Sequence, residues 1–175
     1  DYLGMPIKQY TYGLVNAYAL RRMDYYVAVA DRMQEVLIER GFDPENIFTV
    51  YNGLDFSGAR QESRQEKVPG EVIRIGIAAR LTPIKDIATV IRAFAKAYKQ
   101  EPALRLSIAG TGEDAKPLQE LAGQLGVSHA TVFEGWVEDI KAYFSGIDIN
   151  VLASLSETFP YSLLEGAYQH CPAIA

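Results

Sequence analysis

Cysteine occurs once in this 175-residue chain, at Cys171, and tryptophan once, at Trp136. A lone thiol excludes an internal disulfide framework and a zinc site built on several cysteines. Histidine is nearly as scarce: His129 has no partner in the sequence and reads as a loop residue, and His170 reads as a solvated helix-end residue. No apolar run is long enough to cross a bilayer. No charged start feeds an apolar stretch, so we expect no secretory leader. Positive charge is not in excess either; a formal net charge of −5 argues against a strongly basic nucleic-acid face. Disorder as the overall state is excluded by 49% hydrophobic and 22% charged residues, an ordinary globular balance. Cys171, beside Pro172, is expected to be a small buried residue and not a nucleophile.

The length suits one domain, or one domain and part of another. The chain starts at Asp1 and stops in Pro172-Ala173-Ile174-Ala175, which reads as the first residues of a strand. We therefore expect a piece of a longer protein. A helical period runs through 4–23, on Ile7, Tyr10, Leu14, Ala17 and Tyr18. Residues 25–30 read as a buried strand. Asp31 is expected to cap the next helix, with Met33, Val36 and Leu37 along it and Gly41 ending it. Residues 47–51 read as a strand, and Asn52-Gly53 as a turn. Residues 57–70 are polar and aperiodic, the best linker candidate.

Beyond Gly70 strands and helices alternate: a strand over 72–78, a helix opened by Asp86, a strand over 104–109, and a helix on Leu118, Leu121, Ala122 and Leu125 stopped by Gly126. A short strand at 131–133, a short helix around Ile140, Tyr143 and Phe144, a strand over 147–152, a helix over 160–169 and a strand from Ala173 follow. Short connections throughout predict an α/β fold: a Rossmann-like parallel sheet with helices on both faces. The expected organisation is 1–56 as the end of one domain, 57–70 as a linker and 71–175 as a second domain.

In such a sheet ligands bind beyond the carboxyl ends of the strands. After the 72–78 strand, Arg80 and Lys85 lie on a loop that runs into a helix start, a combination suited to a diphosphate or, equally, to plain solvent exposure. After the 147–152 strand come Glu157 and, eight residues on, Glu165. Pro160 suits the first turn of a helix. The amides of Tyr161, Ser162 and Leu163 would then lack intrahelical partners. Carboxylates accept hydroxyl hydrogen bonds from a sugar or ribose; an exposed helix start would carry the same residues.

Glu157-x7-Glu165, within Ser-Glu-Thr-Phe-Pro-Tyr-Ser-Leu-Leu-Glu, resembles the E-x7-E signature of glycosyltransferase family 4, the retaining group 1 glycosyltransferases. Three more stretches resemble that family in the same order: Val50-Tyr51-Asn52-Gly53-Leu54-Asp55, Ala79-Arg80-Leu81 through Lys85, and Val132-Phe133-Glu134-Gly135-Trp136-Val137. The resemblance covers about residues 24–175. It implies a partial GT-B architecture, with 1–56 ending an acceptor-side domain and 71–175 holding most of a donor-binding domain. It also implies transfer of a sugar from a nucleotide-sugar donor to an unknown sugar or lipid-linked acceptor, in polysaccharide or glycolipid assembly. By similarity, Arg80 and Lys85 neutralise the diphosphate, Glu165 binds ribose, and Glu157 acts on the transferred sugar as the catalytic residue. Phe159, Pro160, Tyr161, Ser162 and Leu163 meet phosphate or sugar, and Trp136 and Val137 border the base. No metal and no cofactor is expected. The implied setting is bacterial and cytoplasmic, with peripheral membrane contact by the full-length protein compatible with it.

The chain departs from the family pattern at four glycines: Ala79 precedes the arginine, Asp86 follows the lysine, Pro160 stands where many members carry glycine and keeps the helix start, and His170 stands where a glycine often ends the helix. Asp86 would put a negative charge near a diphosphate unless it turns away. The glycine-rich acceptor-side loop is missing, so the piece alone is expected to be inactive. Two other classes compete. Gly110-Thr111-Gly112-Glu113-Asp114-Ala115 reads as the G-x-G-x-x-A fingerprint of an NAD-binding oxidoreductase domain, with Glu134 about 20 residues on. Glu113 and Asp114 crowd the place of the pyrophosphate, and Pro117 moves the helix start. The same stretch resembles the glycine turn that glycosyltransferases pack near the donor. A non-catalytic interaction domain is the third class, suggested by the tyrosine-rich start with Arg21-Arg22; packing against missing structure explains that stripe as well.

Overall fold

A computed structural model describes residues 18–54, 68 and 70–175. It divides into two compact units, Asp1–Gly53 and Leu54–Ala175. Most of the expected 57–70 linker and most of the 4–23 helix lie outside the described residues; residues 18–20 are helical.

In the first unit, strand β1 (Tyr26–Ala28), helix α1 (Asp31–Glu39) and strand β2 (Ile47–Thr49) form a β-α-β unit with parallel pairing, Tyr26 opposite Ile47. Both strands are shorter than their apolar runs. After Thr49 the Val50 amide still donates to Ala28 O at 2.8 Å, and pairing then ends. Asp31 does not cap α1. Ala30 holds that position, and Asp31 sits in the first turn, where its charge suits the helix dipole and its Oδ1 accepts from the Tyr51 hydroxyl at 2.6 Å. Gly41 closes the helix with φ 84°, its amide donating to Ile38 O.

The second unit is a five-stranded parallel sheet in the order β5-β4-β3-β6-β7, where β3 is Ile73–Ala78, β4 Leu104–Ala109, β5 Thr131–Gly135, β6 Ile149–Val151 and β7 Ala173–Ile174. Helices α2 (Ile87–Tyr98), α3 (Ala115–Gln124), α4 (Ile140–Ser145) and α5 (Tyr161–Tyr168) connect them. The expected doubly wound α/β architecture is therefore present. Side chains of β3 alternate between two cores, as a strand's period of two requires. Ile75 and Ile77 join Ile91, Phe94, Leu106, Ile108 and Leu118 on the α2–α3 side. Ala78 joins Phe144, Ile147 and Cys171 on the other. Helix α2 buries Ile87, Val90, Ile91, Phe94 and Ala95, an i, i+3, i+4 stripe. Burying one such large side chain contributes about 1.5–3 kcal/mol.

Two departures from glycine have a backbone counterpart. Asp86 has φ 42° and His170 has φ 53°; they are the two non-glycine residues with positive φ among the described residues. Both places call for a left-handed residue, which glycine adopts at no steric cost and aspartate tolerates better than most. Asp86 does stand at the start of α2, but its side chain makes no capping hydrogen bond. At the end of α3, Gly126 (φ 73°) stops the helix as expected, and the Val127 amide returns to Ala122 O at 3.0 Å.

Candidate functional site

The strand order gives the second unit its site. Crossovers from β3 run one way to β4 and β5, while β6 and β7 lie on the other side of β3, so a crevice opens at the carboxyl ends where the order reverses. A cavity of about 370 Å³ occupies that place. The end of β3 supplies Ala78, Ala79 and Arg80, the end of β4 supplies Ala109, Gly110 and Thr111, and the end of β5 leads to Trp136, Val137 and Glu138. Glu165 closes it from α5. Thus Arg80, Trp136, Val137 and Glu165, each singled out from the sequence, meet around one space. Trp136 is 75% exposed, so its indole stands at the mouth.

Lys85 and Glu157 are not part of the cavity wall. They form an ion pair with each other, Lys85 Nζ donating to Glu157 Oε1, with side chains only 17% and 22% exposed. The backbone brings them together. Residues Pro83–Lys85 make a 3-10 turn, and the Leu155 amide donates to Ile84 O at 2.9 Å, tying the loop after β6 to the loop after β3. Burial pushes the Glu157 carboxyl up, but Lys85 and the nearby Ser154 hydroxyl, with the Arg80 charge, outweigh it and hold the group below the usual carboxylate range. Burial alone raises Glu165. The two carboxylates therefore differ in surroundings: Glu157 is paired with a cation, whereas Glu165 lines the cavity with its acceptor oxygens.

Helix α5 starts one residue later than expected. Pro160 is its N-cap and Tyr161 its first residue. The expected row of unpartnered amides is smaller too: Tyr161 N donates to Phe159 O and Leu163 N to Pro160 O, both at 3.1 Å. A tight turn at Pro160 absorbs donors that a straight helix start would leave open. Phe159 and Tyr161 stack edge-on, ring centroids 5.2 Å apart, and Phe159, Pro160, Tyr161, Ser162 and Leu163 are not among the cavity's lining residues. The start of α5 is held from the sheet: Asn150, fully buried on β6, donates to Ser162 O at 2.8 Å.

Gly110 and Gly112 serve a purpose other than the NAD fingerprint's. A Cβ on Gly110 would lie 1.9 Å from Ala79 O, and one on Gly112 2.2 Å from Leu81 O. These glycines let the loops after β3 and β4 touch backbone to backbone, with Leu81 N on Thr111 O at 2.9 Å. The space a Cβ would occupy on each is filled by protein backbone. Asp86 turns away from the cavity and lines a separate space between α2 and α3 with Arg92 and Glu120. Residue reading missed Thr111, Glu138 and Ile140 in the cavity wall; their place just past β4 and β5 was the available signal. It also missed Thr82 and Ser154, whose buried hydroxyl oxygens lack hydrogen-bond partners. Among the described residues no group of three or more His, Cys, Asp or Glu is arranged to hold a metal ion, and no helix is long and apolar enough to cross a membrane.

Comparison with known proteins agrees with this arrangement. Among curated proteins, the chain is 29% identical over 160 residues to an uncharacterized glycosyltransferase of Methanocaldococcus jannaschii, covering 85% of this chain and 41% of that protein. It is 26% identical over 170 residues to the UDP-N-acetylglucosamine--peptide N-acetylglucosaminyltransferase GtfA subunit of Streptococcus pneumoniae, covering 94% of this chain and 32% of that one. The chain thus spans less than half the length of these relatives. Among solved structures, Anabaena HepE in complex with UDP and glucose superposes with TM-score 0.76 at 21% identity, over 89% of this chain and 45% of that one. Staphylococcus aureus TarM superposes with TM-score 0.78 at 20% identity, over 99% and 33%. These likenesses establish the fold as the α/β, Rossmann-like architecture of GT-B glycosyltransferases. The model for glycosyl transferases group 1 matches residues 59–175, two thirds of the sequence, and the chain belongs to that family.

Proposed function

We propose that the protein of which this chain is part is a retaining glycosyltransferase of family 4, transferring a sugar from a nucleotide-sugar donor. The observation that carries the reading is the crevice at the strand-order reversal, where Arg80 and Glu165 share a cavity with Trp136 at its mouth. In this reading the base rests by Trp136 and Val137, the ribose hydroxyls donate to Glu165, and the diphosphate runs toward Arg80 and Lys85. Glu157 then faces the transferred sugar. Relatives support the donor class: HepE is described with UDP and glucose, and GtfA with UDP and GlcNAc. Residues 71–175 act as the donor-binding domain, 57–70 as the linker and 1–56 as the end of the acceptor-side domain. The chemistry is metal-free, the acceptor is a sugar or lipid-linked sugar, and the setting is the bacterial cytoplasm or its membrane surface.

The test is calorimetric titration of this chain with UDP, GDP and ADP in the presence of EDTA, with NAD as the rival ligand. Metal-independent binding of one nucleoside diphosphate is the expected result; binding of NAD in its place refutes it. The dinucleotide reading is disfavoured by the protein backbone packed on Gly110 and Gly112.

A further inference from the structure

We propose that the Lys85–Glu157 pair discriminates between an intact nucleotide sugar and the nucleoside diphosphate left after transfer, favouring the former. The inference rests on the donor-site reading above and adds a selectivity to it. Lys85 is the cation nearest to Glu157, held to it by a hydrogen bond with both side chains largely withdrawn from solvent. Any phosphate that engages Lys85 must either displace Glu157 or share the ammonium with it. Sharing sets two anions on one cation. Displacement leaves a carboxylate, low in solvent exposure, without the donor that satisfied it, and such a group is costly. Arg80 through its charge and the neighbouring Ser154 hydroxyl also act on Glu157, but a neutral hydroxyl does not restore the positive charge that Lys85 brings to the carboxylate, and charge-assisted bonds are the stronger ones.

The two ligands differ at this point. A free nucleoside diphosphate ends in an unesterified terminal phosphate, which near neutral pH carries an additional negative charge and brings no sugar hydroxyl to this end. In a nucleotide sugar that oxygen is esterified, the extra charge is gone, and the attached ring places hydroxyl donors beside Lys85, hence beside Glu157. The ester therefore meets less repulsion and restores a donor to the carboxylate. Glu157 opposes the product and welcomes the donor.

Three forms of this chain decide the matter: wild type, Glu157→Ala and Glu157→Gln, each checked for folding by its thermal midpoint. They are titrated with UDP against UDP-glucose, GDP against GDP-mannose and ADP against ADP-glucose, using the pair that wild type binds. In Glu157→Ala, nucleoside diphosphate affinity is expected to rise about threefold or more as the competing anion disappears. Sugar-ester affinity is expected to fall about threefold or more with the lost hydroxyl contacts. Glu157→Gln keeps an acceptor without the charge, so the diphosphate tightens as in the alanine variant while the ester is held. A ratio of ester to diphosphate affinity that changes by less than about threefold in Glu157→Ala, or an unchanged diphosphate affinity in both variants, overturns the inference and leaves the donor-site reading standing. Failure of folded wild type to bind any of the six ligands overturns the donor-site reading and this inference with it.

Discussion

Replacing Gly110 by alanine tests the loop architecture without reference to any ligand. Gly110 has φ 134°, a region closed to L-residues, and its Cβ would sit 1.9 Å from Ala79 O. Ordinary contact starts near 3.4 Å, so one loop must move by more than an ångström. Three backbone hydrogen bonds cross this junction between the loops after β3 and β4: Ala79 N to Ala109 O at 3.0 Å, Leu81 N to Thr111 O at 2.9 Å and Asp114 N to Leu81 O at 3.0 Å. Each is worth about 1 kcal/mol net, and the enforced left-handed backbone adds about 1–2 kcal/mol. We expect Gly110→Ala to lose roughly 3–5 kcal/mol, a large share of a typical 5–15 kcal/mol domain stability. With a urea dependence of about 2 kcal/mol/M the unfolding midpoint should fall by about 2 M. Gly123→Ala is the control: it lies within α3, its Cβ would meet only Ser128 Oγ at 3.7 Å, and it should stabilise by about 0.5–1 kcal/mol. A Gly110→Ala protein that unfolds within about 0.3 M of wild type, on that same urea scale, would refute the close-approach account. It would also reopen the reading of these glycines as a phosphate cradle.

Other expectations follow from the same geometry. Asp86→Gly should raise the urea midpoint, by about 0.5–1 kcal/mol of stability, because it removes a left-handed non-glycine residue that makes no side-chain cap. Arg80→Ala and Lys85→Ala should each weaken nucleoside diphosphate binding about tenfold or more in calorimetry, since charge-assisted bonds to phosphate contribute about 1.5–3 kcal/mol; unchanged affinity in both would make them ordinary surface cations. The two carboxylates should show opposite pH signs. Glu157 is held below its unfolded range, so it stabilises at neutral pH and that contribution is lost as pH falls through the lowered value; Glu157→Gln should be less stable than wild type at pH 7 and approach it in acid. Glu165 is raised by burial, so ionising it disfavours the fold as pH climbs above the unfolded carboxylate value; Glu165→Gln should be the more stable form at pH 7, with the difference vanishing in acid. Urea midpoints at the two pH values check both.

What was legible in the sequence was the alternation of elements and the position of the site at their ends. The apolar stripe Ile87, Val90, Ile91, Phe94 could be packed in only one way, and it is buried as read. Arg80 and Glu165 stood out by their places beyond strand ends, whereas Trp136 and Val137 came only through the resemblance to the family's motif; all four line the one cavity. The pairing of Lys85 with Glu157 was not legible, because it depends on β6 lying beside β3 and on one backbone bond between loops some 70 residues apart. Asp31 and Pro160 were each misplaced by one residue at a helix start, where a cap is decided by the entering backbone and not by the side chain's preference. The left-handed turns at Asp86 and His170 were hidden from residue preference for the opposite reason, since glycine is absent at both; only the family pattern marked them as glycine positions.

Strand β3 is registered with β4 along its whole length, from Ile73 opposite Leu104 to Ala78 opposite Ala109, but with β6 only through Ile75–Ile149 and Gly76–Asn150. Pairing is therefore short from β3 onward on this side, since β6 and β7 also share only two register pairs, and the β3–β6 seam divides the candidate site. Arg80 and Lys85 belong to one flank, Glu157 and Glu165 to the other. Sub-global opening follows the weakest line of pairing, so amide exchange in β6, β7 and α5 should outpace that in β3 and β4. A molecule bridging the flanks would act as a clasp. Its affinity and the slowing of exchange in β6 would then be two measures of one quantity.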